Sequence, residues 1–178
     1  MEAGGHRGAF QAADAESAMV GLFSLLPAIV DAVPVPVVAT GGIADARGIA
    51  ASLILGASAV QIGTGFLRAP EAGIPAAWAD ALADALPENT TVTRAFSGRA
   101  GRGYVTPYLR AVSAPGAPKP APYPIQRGLT QAMRSAAAKS NTLDGMQAWS
   151  GQSGWMAQAR SAGDIAQDLW REARALLA

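Results

Sequence analysis

Two glycine turns, each at the end of a short apolar segment, constrain what this chain can fold into. Gly41-Gly42 follows the apolar residues 35–40, and Gly63-Thr64 ends the apolar residues 59–64. Residues 45–55 between them have the apolar spacing of a helix. Short, wholly apolar strands separated by a helix are typical of a parallel sheet covered on both faces. We therefore expect 35–40 and 59–64 to be adjacent parallel strands joined by a right-handed helical crossover.

Turns of this kind are able to bind an anion through the backbone. Glycine lets the main chain approach a ligand closely, and the start of the following helix, which we expect Asp45 to cap, adds a positive dipole. In (β/α)8 barrels such a site commonly follows the last two strands. Gly41-Gly42 alone also fits a simple tight turn, but a second turn carrying the Thr64 hydroxyl favours a phosphate site.

A third glycine-containing segment lies upstream, where Gly4-Gly5 precedes His6, the only histidine of the chain. Imidazole titrates near neutral pH, so His6 suits the role of a catalytic base or of a hydrogen-bond donor to a substrate. The alternative is an exposed histidine in a flexible N-terminal segment.

The composition narrows the classes of function. With 178 residues, 50% of them hydrophobic, the chain has enough apolar surface for one sizeable core. A net charge of +1 and 6% aromatic residues argue against nucleic acid and membrane surfaces as partners. The absence of cysteine excludes disulfides and thiolate chemistry. No signal peptide or apolar stretch of about 20 residues is evident, so we expect a cytoplasmic protein, and we predict no metal site.

The remainder of the chain is less regular. We predict helices over 14–33, 75–86, 126–140 and 164–177, a β-branched strand over 90–95, a basic glycine-rich loop over 97–103 and an extended proline-rich connection over 112–124. Arg99 and Arg102 in the basic loop are either solvated or offset the charge of a phosphate. Gln152, in a late glycine loop, either caps a turn or reaches a substrate pocket. Trp149 is expected to pack in the core.

An ordered set of motifs resembles the nitronate monooxygenase family over nearly the whole chain. The motifs lie at residues 3–8, 41–42, 61–64, 97–99 and 151–152. The resemblance implies an α/β fold of the FMN-binding (β/α)8 TIM-barrel type. It also implies that FMN is bound by Gly4, Gly41, Gly42, Gln61, Ile62, Gly63 and Thr64. His6 would be the catalytic residue beside the substrate nitro group, and Gln152 is a candidate for substrate binding.

The matching region corresponds to the back part of the family barrel. Residues 1–178 are therefore expected to be the C-terminal portion of a single TIM-barrel domain, with about the last three strands and the C-terminal helices. The first five strands have no counterpart, as in a gene fragment, a split gene, a late start or a truncated form. We expect the isolated chain to bind FMN poorly, to be inactive and to self-associate through its open barrel edges.

The implied reaction is the FMN-dependent oxidation of alkyl nitronates by O2 to a carbonyl compound and nitrite. A first alternative is a flavin-dependent enoyl-acyl-carrier-protein reductase, which has a similar histidine motif. A second is a non-catalytic remnant, or a subunit that completes its barrel with another chain. The first alternative predicts a requirement for NAD(P)H and turnover of an enoyl thioester.

Overall fold

Two separate sheets organise the chain in the computed structural model, which describes residues 1–178 except for the side chain of residue 12. The strands are β1 (Gly5–His6), β2 (Val38–Thr40), β3 (Ala59–Gln61), β4 (Thr90–Thr93) and β5 (Gly101–Tyr104). The helices are α1 (Leu22–Ala32), α2 (Ala46–Ile54), α3 (Ala76–Ala83), α4 (Pro107–Val112), α5 (Ile125–Leu129), α6 (Gln131–Lys139) and α7 (Ala162–Leu177). The chain is thus an α/β protein.

The first sheet is the parallel pair of β2 and β3, and it confirms the parallel pairing predicted from sequence. Val38 pairs with Ala59 and Thr40 with Gln61, and α2 connects the two strands. Asp45 caps α2 as predicted, because its Oδ1 accepts a hydrogen bond from the N–H of Gly48 at 2.9 Å.

The main core lies between this parallel pair and two of the helices. Ala39 and Ile49 are buried there against α7, whose Ile165, Leu169 and Ala173 are also buried. Helical spacing puts Trp170, Leu176 and Leu177 on the same apolar face of α7, but these side chains are 53%, 56% and 41% exposed. Only half of this six-residue face is therefore buried within this chain.

The second sheet is antiparallel, with the strand order β1-β5-β4. The predicted strand at 90–95 is confirmed as β4, whereas β5 lies in the segment predicted to be a basic loop. Gly101 and Gly103 explain the difference. A Cβ on Gly101 would lie 3.0 Å from the carbonyl oxygen of Gly5, and one on Gly103 would lie 3.0 Å from that of Ala148. Glycine allows this close packing, so tertiary contacts override its weak strand propensity.

Parallel pairing is limited to β2 and β3 among the described strands, fewer than the three or so barrel strands expected. β1 pairs with the antiparallel sheet instead, with Gly5 opposite Arg102 and His6 opposite Gly101. A smaller core of Ala95, Phe96 and Leu109 lies beside this second sheet.

The predicted long helix over 126–140 divides into α5 and α6 at Thr130. The proline-rich connection that precedes it has no regular strand or helix over 113–124, as expected.

One face of the parallel pair is exposed at Val38 and Ala59. Among the described residues, no helix is long and apolar enough to cross a membrane.

Candidate functional site

The two glycine turns meet at a cleft of about 90 Å³. The cleft is lined by Ala3, Gly4, Thr40, Gly41, Gly42, Ile43, Gln61, Gly63, Thr64, Gly151 and Ser153. All the residues proposed from sequence to bind a cofactor are in this lining except Ile62. The side chain of Ile62 packs against the main core instead.

The backbone of the first turn requires glycine. Gly41 and Gly42 have φ angles of +95° and +74°, in the left-handed region that other residues rarely adopt. A Cβ on Gly41 would also lie 2.9 Å from the Cβ of Ala3. Gly63 differs, because its φ of −102° is ordinary and an added Cβ would meet no atom within 4 Å. Gly63 therefore borders open space in the cleft.

The cleft presents main-chain donors and hydroxyl groups. Among the described residues, the backbone N–H groups of Gly42 and Gly63 form no hydrogen bond to the protein. Thr64 Oγ1 accepts a hydrogen bond from Gly151 N at 2.9 Å, which leaves its own hydroxyl proton for another acceptor. The expected dipole contribution of α2 is reduced, because the Asp45 carboxylate already occupies the first turn of that helix.

A late loop closes the cleft on a third side. Ser153 Oγ donates to the carbonyl oxygen of Gly42 at 2.6 Å. Gly4 packs so tightly against Gly151 that a Cβ on Gly4 would lie 2.5 Å from Gly151 N. Gly151 belongs to the motif at 151–152 but was given no role from sequence, and Ser153 was not predicted, since only the fold reveals contacts over such a separation along the chain.

His6 lies two residues beyond Gly4, about 7 Å along an extended strand. Its Nε2 is hydrogen-bonded to Ser97 Oγ at 2.7 Å, and its ring meets the Trp149 ring edge-on with centroids 5.4 Å apart. Ser97 is 1% exposed and was not predicted, although it belongs to the basic loop that the sequence analysis singled out. These contacts fix the orientation of the imidazole.

The surroundings of His6 are electropositive. Burial, followed by the nearby charges of Arg99 and Arg127, lowers the pKa of His6 below its ordinary value. The guanidinium group of Arg99 lies over the Tyr123 ring, 5.6 Å from its centroid. Among the described side chains, neither arginine forms a salt bridge. The region beside His6 therefore favours an anion.

Two residues considered from sequence lie outside the cleft. Arg102 is 5% exposed and donates to Met1 and Thr90 instead. The Gln152 backbone N–H donates to the carbonyl oxygen of Glu2 at 2.9 Å, and the residue lines a separate, largely apolar cavity of about 420 Å³ behind the first turn. No group of three or more potential metal ligands occurs among the described residues.

The chain is similar to known proteins over most of its length. The family model described as nitronate monooxygenase matches residues 1–172. A probable nitronate monooxygenase from Staphylococcus aureus strain Newman is 40% identical over 168 residues, which are 94% of this chain and 47% of that protein. The relative from strain MSSA476 is 41% identical over the same share.

Solved structures give the same result. The nitroalkane oxidase from Streptomyces ansochromogenes matches with a TM-score of 0.89 and 43% identity, over 100% of this chain and 52% of that one. FabK from Thermotoga maritima matches with a TM-score of 0.78 and 28% identity, over 99% and 53%. This chain thus spans about half the length of the relatives it matches. It belongs to the nitronate monooxygenase family.

Proposed function

We propose that the complete protein containing this chain is an FMN-dependent nitronate monooxygenase. It would oxidise alkyl nitronates with O2 to a carbonyl compound and nitrite. The observation that carries the proposal is the convergence of the two glycine turns and the His6 strand. Gly4, Gly42 and Thr64 line one cleft, and His6 lies two residues beyond Gly4.

The residues of the cleft fit the phosphate end of FMN. An anion needs convergent donors and close approach of the backbone, and Gly42, Gly63 and Thr64 offer both. Gly4 and Gln61 extend the same lining toward the ribityl chain and the ring. Ile62 would contribute through its backbone alone. Bound FMN would supply the redox chemistry, whereas the protein supplies binding and orientation.

His6 is suited to remove a proton from a neutral nitroalkane. When Nε2 carries the ring proton and donates it to Ser97 Oγ, Nδ1 is left unprotonated as the base. The lowered pKa of His6 keeps this neutral form dominant at pH 7. Arg99 and Arg127 favour the anionic nitronate that forms, or one that arrives already ionised.

The chain would form the C-terminal portion of one TIM-barrel domain, covering residues 1–178. Its parallel strands β2 and β3 end at the cleft, as phosphate-binding strands of such barrels do. The other side of the flavin pocket would then come from strands outside this chain.

The test uses a hybrid enzyme, in which this chain is joined to the part of the Streptomyces nitroalkane oxidase that it does not match. We expect the hybrid to bind FMN and turn over nitronates. His6→Ala should lower kcat/KM for neutral nitroalkanes about 100-fold or more and for preformed nitronates less than about tenfold, because only neutral substrates need a proton removed. Gln158→Ala, an exposed substitution, is the control. Equal losses on both substrates would exclude a base role for His6.

The match to FabK keeps enoyl-acyl-carrier-protein reduction as a second candidate function. The higher identity and TM-score with the nitroalkane oxidase favour nitronate chemistry. Assay of the hybrid with NADPH and an enoyl thioester distinguishes the two. If the hybrid shows neither activity and binds no FMN, this would indicate that the chain is a non-catalytic remnant.

A further inference from the structure

One buried arginine ties together the parts of the chain that form the site. Arg102 lies in the middle of β5, is 5% exposed, and its backbone pairs with Gly5 of β1. Its Nε donates to the carbonyl oxygen of Met1 at 3.2 Å. Its Nη1 donates to Thr90 Oγ1 at 2.9 Å and to the Thr90 carbonyl oxygen at 3.3 Å. The guanidinium therefore joins the start of the chain to the start of β4.

The segment it holds, residues 1–6, runs between the two halves of the site. Glu2 accepts a hydrogen bond from the late loop through its carbonyl oxygen, and Gly4 lines the cleft against Gly151. His6 ends the segment, bonded to Ser97. Any sliding of residues 1–6 would displace Gly4 and His6 together.

The contacts of Arg102 are unusual for a buried charge. Among the described residues, it forms no salt bridge with a carboxylate. Burial, and then the charge of Arg7, lowers the pKa of Arg102, and the nearby charge of Glu2 offsets this only in part. An unpaired buried charge opposes folding, and an apolar side chain would fill the same space without that penalty. The guanidinium is a rigid fork, and it reaches both the irregular segment at Met1 and the start of β4 at Thr90.

We propose that Arg102 is a positioning residue, which holds residues 1–6 in register between the cleft and Ser97 and so sets the places of Gly4 and His6. The structural part of this proposal stands on the contacts alone. Its consequence for turnover rests on the proposed function.

The single histidine allows a direct test on this chain. Nitrogen-15 NMR of His6 reports its pKa and the hydrogen bond at Nε2. In the parent chain the pKa should lie below the ordinary histidine value, because of burial and the charges of Arg99 and Arg127. Arg102→Met should raise it toward the ordinary value and remove the signature of the Ser97 bond. Arg102 itself is not among the groups that shift this pKa, so the change would report movement of the segment.

Two further variants make the result decisive. Arg68→Met is the control, because Arg68 is a half-buried arginine that donates to the carbonyl oxygen of Ala157, away from residues 1–6. It should leave the His6 signals unchanged. Arg102→Lys keeps the charge without the fork and should restore the signals only in part. If Arg102→Met does not fold, Arg102→Lys decides alone: His6 signals identical to the parent would overturn the proposal.

The hybrid enzyme gives an independent readout. Arg102→Met should lower kcat/KM for neutral nitroalkanes at least tenfold more than for nitronates, and it should weaken FMN binding at least tenfold. A variant that is less stable but keeps the parent His6 signals and the parent substrate ratio would assign Arg102 a purely structural role. Failure of the proposed function would differ, since the hybrid would then lack nitronate turnover even with Arg102 in place.

Discussion

At the scale of single residues, the glycines of the cleft divide into those needed for folding and one available to the ligand. Gly41 and Gly42 have positive φ angles, so substitutions there strain the backbone. A loss of ligand binding in such variants could not be distinguished from a loss of folding. Gly63 has an ordinary φ and open space around it. It therefore allows binding to be tested with little effect on the fold.

We predict that Gly63→Asp in the hybrid enzyme weakens FMN binding by at least about tenfold, equivalent to about 1.4 kcal/mol. A carboxylate at the cleft would repel the phosphate, whereas stability should change by no more than about 0.5 kcal/mol. Flavin fluorescence titration and thermal unfolding measure the two effects. Gly128→Asp, at another glycine with open space, is the matched control. Equal FMN affinity in the two variants would place the phosphate elsewhere.

A second residue-scale prediction concerns pH. Because burial and the Arg99 and Arg127 charges lower the pKa of His6, its neutral form should persist below the ordinary histidine pKa. The acid limb of kcat/KM for neutral nitroalkanes should lie in that lower range. Arg99→Met should move it to higher pH, and the exposed Arg110→Met should not. The measurement is a pH profile with each variant, and an unmoved limb in Arg99→Met would exclude this charge effect.

The residues of the site were predictable from sequence to different degrees. The glycines and Thr64 were predictable, because few other residues fit a turn that approaches an anion. Ser97 and Ser153 do not, since their partners His6 and Gly42 are 91 and 111 residues away along the chain. A common hydroxyl residue carries no local signal of such a contact.

At the scale of elements, the parallel pair was predictable, whereas only β4 of the antiparallel sheet was. The strands β2 and β3 are apolar and flank a helix, so their local pattern and their tertiary role agree. The strand β5 contains two glycines and Arg102, and it becomes a strand because β1, β4 and Trp149 pack against it. No local pattern encodes that environment.

The helix α7 provides an element-scale prediction, because it carries equivalent leucines in different surroundings. Leu169 is 5% exposed and packs in the main core, whereas Leu176 is 56% exposed. We expect Leu169→Ala to lower the free energy of unfolding by about 2–5 kcal/mol, through lost burial and the cavity that remains. Leu176→Ala should change it by less than about 1 kcal/mol. Urea denaturation of this chain measures both, and similar losses would mean that α7 packs differently.

At the scale of the whole molecule, the chain leaves strand edges and apolar surface without partners. The strands β2 and β3 pair only with each other in the described structure, so each has one open edge. Val35 and Val38 are 61% and 53% exposed, and Trp170 of α7 is 53% exposed. The matched relatives are about twice as long, so they have chain available to cover such surfaces.

The last prediction follows from these open edges. Parallel sheets are normally covered on both faces, and two strands alone are marginal. We therefore expect the isolated chain to self-associate and to bind FMN weakly, as size-exclusion chromatography with a flavin titration would measure. Adding the part of the Streptomyces nitroalkane oxidase that the chain does not match should compete with self-association and increase FMN binding, because it would supply further strands for the open edges. Val38→Lys, on the exposed face, should reduce self-association, whereas Lys at the exposed Ala175 of α7 should not. A monomer that binds FMN stoichiometrically without the added part would mean that these surfaces need no partner, and that the site is complete within residues 1–178.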